Sequence, residues 1–93
     1  MYERILVGTD GSKTAAKAVD RAVDVAASTG ATLTILTAAR PDKGQDVVER
    51  EAQRHAGTGV AIQTKVVDGD PVSALIDEAS DTAADLLVVG NKG

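Results

Sequence analysis

Residues 4–12 read RILVGTDGS, a short apolar run that ends in a glycine-containing turn. A continuous apolar run of this length is typical of a strand that is buried on both faces of a parallel sheet. The turn leads into residues 15–26, where apolar side chains recur at three- and four-residue spacing and indicate a helix. Ser12 is the expected N-cap of this helix and Gly30 the residue that ends it. The chain therefore begins with a strand, a turn and a helix.

The same alternation of strand and helix patterns continues along the whole chain. Three further segments have strand patterns: residues 31–39, 60–67 and 85–90. Between them, a loop over residues 41–44 and a helix over residues 46–56 with Asp46 as its N-cap are predicted, and a third helix begins at Asp70 and Pro71. Strands that alternate with helices through short connections predict an α/β fold, an open parallel sheet with helices on both faces.

The character of each strand predicts its place in the sheet. The third strand alternates, with Gln63 and Lys65 on one face, which favours an edge position. Right-handed crossovers then give the strand order 3-2-1-4. That order leaves the fourth strand at the other edge although residues 86–89 are all apolar, and a bare apolar edge promotes aggregation. We therefore expect these residues to be buried beneath a missing fifth strand or another protein chain, the alternative being a bare edge that the protein tolerates.

The composition argues against several classes of function. The 93 residues suffice for a single domain, and a net charge of −4 with Tyr2 as the only aromatic residue argues against a nucleic-acid partner. The absence of cysteine removes disulfides, thiol nucleophiles and cysteine zinc sites. No apolar run approaches the length of a membrane span and the N-terminus lacks a signal pattern, so we expect a cytoplasmic protein without a membrane partner.

A ligand is expected where the ends of the first and fourth strands meet. In an open parallel sheet the binding crevice lies at the carboxyl ends of the strands, where successive connections diverge to opposite faces. Residues 8–12 and 90–93 meet there, and both are glycine-bearing loops whose backbone can approach a ligand closely. The first loop, which includes Gly11, leads into a helix N-terminus, and its dipole favours a phosphate. Asp10 is suited to accept hydrogen bonds from a base or ribose, or to hold a metal ion beside phosphates.

Other candidate motifs have simpler interpretations. Lys13 follows Ser12 where a phosphate-binding P-loop needs glycine, so that motif is rejected. His55 is expected to be a partly covered helix residue rather than a catalytic base. Asp68 and Asp70 lie between the end of the third strand and the start of a helix, which Asp70 is expected to cap, and neither is expected to bind a metal. No nucleophile with a neighbouring base is visible.

Three segments together resemble the universal stress protein family. They are the opening strand with Thr9-Asp10-Gly11-Ser12, the helix entry Gly69-Asp70-Pro71, and residues 84–93, which read ADLLVVGNKG. The resemblance implies a flavodoxin-like sheet of five parallel strands, usually in a homodimer. Many members of the family bind ATP, typically with Mg²⁺, and others bind no nucleotide.

The resemblance also implies roles for individual residues. Gly90 and Gly93 match the first two glycines of the family's ATP-binding pattern. Thr9 and Asp10 match positions on the adenosine side, and Ala38 matches a position that contacts adenine through its backbone. The closing part of the pattern, a fourth helix and a fifth strand have no counterpart, so ATP binding is expected to be weakened or lost.

The leading hypothesis is thus a stress-response protein with adenine nucleotide as a regulatory ligand and slow hydrolysis at most. The main alternative is a dimeric interaction module of the same family that binds no nucleotide. A phosphate-handling enzyme on the same fold is a third, weaker candidate.

Overall fold

The computed structural model describes residues 2–90, in which four strands alternate with three helices. The elements are β1 (Arg4–Gly8), α1 (Lys13–Thr29), β2 (Thr32–Ala38), α2 (Pro41–Arg54), β3 (Ile62–Val67), α3 (Pro71–Thr82) and β4 (Leu86–Val88). The strands form one parallel sheet in the order β3-β2-β1-β4. Both the predicted fold class and the predicted strand order are therefore confirmed. None of the described helices combines the length and the apolar character needed to cross a membrane.

The predicted ends of α1 and α3 are confirmed. The Ser12 hydroxyl accepts the N–H of Ala15 at 3.1 Å, and Gly30 ends α1 with a φ of 74° in the left-handed region. The Asp70 carboxylate accepts the N–H of Ser73 at 2.9 Å at the start of α3. Because these caps satisfy donors that the first helical turn leaves unpaired, both helices begin at fixed positions beside the carboxyl edge of the sheet.

The predicted start of α2 is wrong. The helix runs over Pro41–Arg54 after Arg40, rather than over residues 46–56 with Asp46 as the cap. Pro41 occupies the first turn, where its fixed φ suits a helix and its missing N–H costs nothing. The proline that suggested a loop in fact begins the helix.

Gly44 was predicted to lie in a loop, but its role is in tertiary packing. It is buried inside α2, and a Cβ built there would collide with the Val66 side chain and lie 3.1 Å from Cγ2 of Thr37. Glycine therefore allows α2 to approach β2 and β3 closely. It does not mark a turn.

The main hydrophobic core lies between the sheet and the two helices α1 and α2. The small side chains along α1 allow this helix to pack close to the strands. The buried residues of this cluster include Ile5, Val7, Val19, Ala22, Val23, Ala26, Leu33, Ile35 and Val48. This face of the sheet is closed by two helices.

The opposite face is covered by α3 and is less complete within residues 2–90. Leu75 of α3 fills the space above Gly8, where a Cβ would lie only 2.9 Å from its Cδ1 atom. Farther along, Lys65 of β3 forms an ion pair of 2.7 Å with the nearly buried Glu78 of α3. These contacts hold α3 over β1, β2 and β3, and they leave β4 largely uncovered on this side.

The expected burial of residues 86–89 is only partly met. Leu86 and Val88 are half-buried against the main core, whereas Leu87 is 40% exposed and Val89 is 58% exposed. β4 pairs with β1, and its outer edge has no strand partner among residues 2–90. One side of the segment therefore packs on the core, while Leu87 and Val89 remain exposed to solvent.

Asp85 fixes the position at which β4 begins. Its carboxylate accepts the backbone N–H groups of Glu3 at 2.7 Å and of Arg4 at 2.8 Å, and its own N–H donates to the carbonyl of Arg4. The hydrogen bonds from Arg4 and Glu3 hold the pKa of Asp85 below its ordinary value, because they stabilise the charged form. The strand order thus has a specific polar anchor at the β1–β4 junction.

The packing at Gly44 makes a prediction about stability. Helix propensity alone favours Gly44→Ala by about 1 kcal/mol, but displacing Val66 in a packed interface costs roughly 1–3 kcal/mol. We expect the overpacking to dominate, with a lower free energy of unfolding in urea denaturation. Gly57→Ala is the matched control, because a Cβ there meets nothing within 4 Å and the change should alter stability by less than about 0.5 kcal/mol. Stabilisation by Gly44→Ala would contradict the packing argument.

Candidate functional site

A cleft of about 330 Å³ opens at the carboxyl ends of β1 and β4. Four of the residues predicted from the sequence line it: Thr9, Asp10, Ala38 and Gly90. They come from three separate parts of the chain, and the parallel sheet brings them together. Gly93, the remaining phosphate-side candidate, lies outside the described residues.

Gly11 does not line the cleft. Its φ of 84° is in the left-handed region, which favours glycine in the turn after β1. A Cβ on Gly11 would point toward α2, at 3.3 Å from Val47 and 3.4 Å from the guanidinium of Arg50. Gly11 therefore allows the turn after β1 to form and allows α2 to pack closely against that turn.

Buried hydrogen bonds fasten the turn after β1 to β2. The N–H of Thr9 donates to the carbonyl of Leu36 at 2.9 Å, and the hydroxyl of Thr37 donates to the carbonyl of Thr9 at 2.6 Å. The Thr9 hydroxyl in turn accepts the N–H of Gly11 at 3.1 Å. Thr37 is only 2% exposed, so its hydrogen bond is shielded from water. Hydrogen bonds within the protein thus fix the position of Thr9 in the cleft.

Asp10 carries the one ionisable side chain among the described residues that line the cleft. Its Oδ1 atom accepts the N–H of Ser12 at 2.9 Å, which orients an otherwise exposed carboxylate at the start of α1. A carboxylate held in this way can accept hydrogen bonds from hydroxyl or amino groups of a ligand.

Gly90 brings the end of β4 against the first turn of α1. A Cβ at this position would lie 3.2 Å from the Cα of Ala15 and 3.2 Å from the carbonyl oxygen of Thr14. Both are backbone atoms that cannot move aside easily, so the close approach needs glycine. The end of β4 and the positive end of the α1 dipole therefore border the same space.

An apolar wall of the cleft was missed from the sequence. It comprises Leu36 of β2, Val89 after β4, and Pro71, Val72 and Leu75 of α3. The sequence predicted a helix that begins at Asp70 and Pro71, but it did not predict that this helix borders the cleft. In a parallel α/β sheet the N-terminus of every following helix lies at the carboxyl edge. That rule was the available signal that the first turn of α3 borders the crevice.

The described side chains alone provide too few ligands for a metal ion. Within residues 2–90 no group of three histidine, cysteine, aspartate or glutamate side chains is arranged to hold one. Asp10 is the single carboxylate among the described cleft residues. Mg²⁺ is often bound through one or two carboxylates together with ligand phosphates and water. The site fits Mg²⁺ only in that form, with Asp10 beside a phosphorylated ligand.

The charged cluster around His55 lies outside the cleft lining, in agreement with the sequence analysis. His55 Nε2 and the Nη2 of Arg54 each lie 2.9 Å from the Oδ1 atom of Asp20 on α1. Arg54 also binds Glu51, whose side chain is almost fully buried. The hydrogen bond that Arg54 donates to the Glu51 carboxylate outweighs desolvation and, with the further bond donated to Asp20, raises the pKa of Arg54. This cluster joins α2 to α1.

Fold and cleft together define an α/β protein of flavodoxin-like fold with a candidate ligand site at the carboxyl edge of its sheet. A model described as the universal stress protein family matches residues 1–48 and 40–93. The chain therefore belongs to the universal stress protein family.

Individual members of the family support this assignment. The chain is 32% identical to universal stress protein Rv1636 of Mycobacterium tuberculosis strain H37Rv, over 99% of this chain and 77% of that protein. It is 28% identical to universal stress protein YxiE of Bacillus subtilis, over 100% of this chain and 81% of that protein.

Two solved structures share the fold. The crystal structure of Rv1636 aligns with a TM-score of 0.87 and 38% identity, covering 99% of this chain and 73% of that one. A universal stress protein crystallised in complex with cAMP aligns with a TM-score of 0.85 and 39% identity, covering 92% of this chain and 70% of that one.

The hydrogen bond from Thr37 to Thr9 predicts a measurable effect on stability. Thr37→Val keeps the side-chain volume but leaves the buried carbonyl of Thr9 without this donor, which should cost about 1–3 kcal/mol in urea denaturation. Thr64→Val is the matched control, since Thr64 is exposed on β3 and its replacement should change stability by less than about 0.5 kcal/mol. Equal stabilities of the two variants would show that the bond does not hold the turn.

Proposed function

We propose that the chain binds an adenine nucleotide in the cleft as a regulatory ligand, with slow hydrolysis at most. The observation that carries the proposal is the convergence of Thr9, Asp10, Ala38 and Gly90 on one cleft. All four are site residues that the sequence predicts. A family member with 39% identity crystallised in complex with cAMP supports the same chemistry.

The chemistry of the cleft suggests how such a ligand lies. The adenine is placed near Ala38 and Asp10, and the ribose near the end of β1. The phosphate is placed near Gly90, because the adjoining first turn of α1 supplies backbone N–H donors and a favourable dipole. Gly93 is proposed to extend this phosphate end.

The charge of the cleft lining affects how many phosphate groups a bound nucleotide can carry. Asp10 is acidic, and no lysine or arginine lines the cleft within residues 2–90. A triphosphate therefore depends on Mg²⁺ to offset its charge, whereas cAMP carries a single negative charge. We propose that ATP with Mg²⁺ binds more weakly than cAMP to this chain.

Titration calorimetry of the 93-residue chain with cAMP, AMP and ATP plus Mg²⁺ tests the proposal. We expect sub-millimolar binding of at least the monophosphates. Asp10→Ala should weaken it roughly tenfold, because it removes an acceptor for ligand hydroxyl or amino groups. Asp24→Ala, an exposed change on α1 away from the cleft, is the control and should leave the affinity unchanged. If none of the three nucleotides binds at sub-millimolar concentration, the proposed function is wrong.

The described cleft lining contains few groups that could catalyse a reaction. The described lining holds one carboxylate and no histidine, lysine or cysteine beside a nucleophile. We therefore propose a binding role, with ATP hydrolysis no faster than a slow background rate. Rapid turnover of ATP or of a phosphate ester by the pure protein would favour the phosphate-handling enzyme instead.

A second candidate function is a dimeric interaction module that binds no nucleotide. It is favoured by the exposed apolar side chains of Leu87 and Val89, beside an edge of β4 that is unpaired within residues 2–90. We propose that a second copy of the chain or another polypeptide covers this edge.

Sedimentation velocity tests the association. Leu87→Lys places a charge beside the edge and should shift a dimer toward monomer, because charged side chains block edge-to-edge pairing. Ile76→Lys is the control, since Ile76 is 58% exposed on α3 and lies off the strand. A monomeric wild-type chain that binds nucleotide would exclude this candidate.

Two further predictions remain part of the proposal. One is that residues 1–93 belong to a single domain. The other is a cytoplasmic location, which cell fractionation tests.

A further inference from the structure

We propose that the first turn of α3 is the wall that selects the base of the ligand, and that Val72 determines a preference for a purine over a pyrimidine. The inference rests on the proposed nucleotide function and deepens it. It assigns a direction to the ligand and a specificity-determining residue to the cleft.

Val72 is an exposed apolar side chain that faces the cleft. It is 64% exposed although it lines the site together with Pro71 and Leu75. The Leu75 side chain packs directly against the backbone of Gly8, so the apolar wall next to Val72 rests on β1. A flat ring lying on this wall would remove apolar surface from water, and a larger ring would remove more. The wall therefore discriminates by ring size.

The N-terminus of α3 is unsuited to a phosphate. Pro71 has no N–H, the N–H of Ser73 donates to the Asp70 carboxylate at 2.9 Å, and the N–H of Ala74 donates to the Asp70 carbonyl at 2.9 Å. The cap therefore already uses the N–H groups of Ser73 and Ala74. This side of the cleft offers apolar contact and few hydrogen-bond donors.

The first turn of α1, on the other side, has the opposite character. Its cap Ser12 is uncharged and engages the N–H groups of Ala15 and Ala16. The first-turn N–H groups of Lys13 and Thr14 have no intrahelical acceptor by helix geometry, so they are the donors suited to a phosphate. The two helix N-termini at the cleft thus differ in free N–H donors and in apolar surface, and this difference directs the base toward α3.

Calorimetry with AMP and CMP on the 93-residue chain tests the role of Val72. Val72→Ala should weaken AMP binding roughly three- to tenfold and CMP binding by less, so that the AMP-to-CMP affinity ratio falls. Val72→Ile keeps the apolar contact and should hold AMP affinity within about twofold. Ile76→Ala is the matched control, because Ile76 lies one turn farther along α3, is similarly exposed, and does not line the cleft.

Three results would overturn the inference. They are an unchanged AMP affinity in Val72→Ala, equal weakening of AMP and CMP, or the same change of ratio in Ile76→Ala. Urea denaturation of each variant identifies any loss caused by unfolding, and Val72→Ile then provides the decisive comparison with the wild type. If the wild-type chain binds neither nucleotide, the proposed function fails and the inference with it, an outcome that is distinct from selective failure of the Val72 variants.

Discussion

The buried hydrogen bond from the Thr37 hydroxyl to the carbonyl of Thr9 is the interaction on which the candidate site depends. It joins the end of β2 to the turn after β1, so that the turn cannot move independently of the sheet. The turn orients the Asp10 carboxylate and positions Ser12, where α1 begins. Together with the bond from the Thr9 N–H to the Leu36 carbonyl, this shielded contact positions the cleft floor, its carboxylate and one of its two helix N-termini.

The two faces of the sheet have different tasks. The face beneath α1 and α2 contains the main core and the interhelical cluster of Arg54, Glu51, Asp20 and His55, and it supplies most of the buried apolar surface. The face beneath α3 carries the apolar wall of the cleft and the exposed side chains of β4. Stability and candidate function are therefore largely separated, which allows changes at the cleft wall to be tested without disturbing the main core.

Local patterns were sufficient to predict most of the fold. The caps at Ser12 and Asp70 and the strand order depend on neighbouring residues and on general rules of chain connection, and they were correct. The start of α2 was missed because Gly44 serves a contact with Val66 that is distant in sequence. The apolar wall of the cleft was missed for the same reason, since Val72 and Leu75 become site residues only when α3 is placed across the sheet.

Val72 and Val89 belong at once to the cleft lining and to the water-exposed apolar surface of α3 and β4. A polypeptide that packed onto that surface would touch the same two side chains as an occupant of the cleft. Occupancy of one position would then alter the affinity of the other, and thermodynamic reciprocity requires the influence to be equal in both directions. Two valines shared between neighbouring surfaces are enough to make small-molecule recognition and assembly mutually dependent.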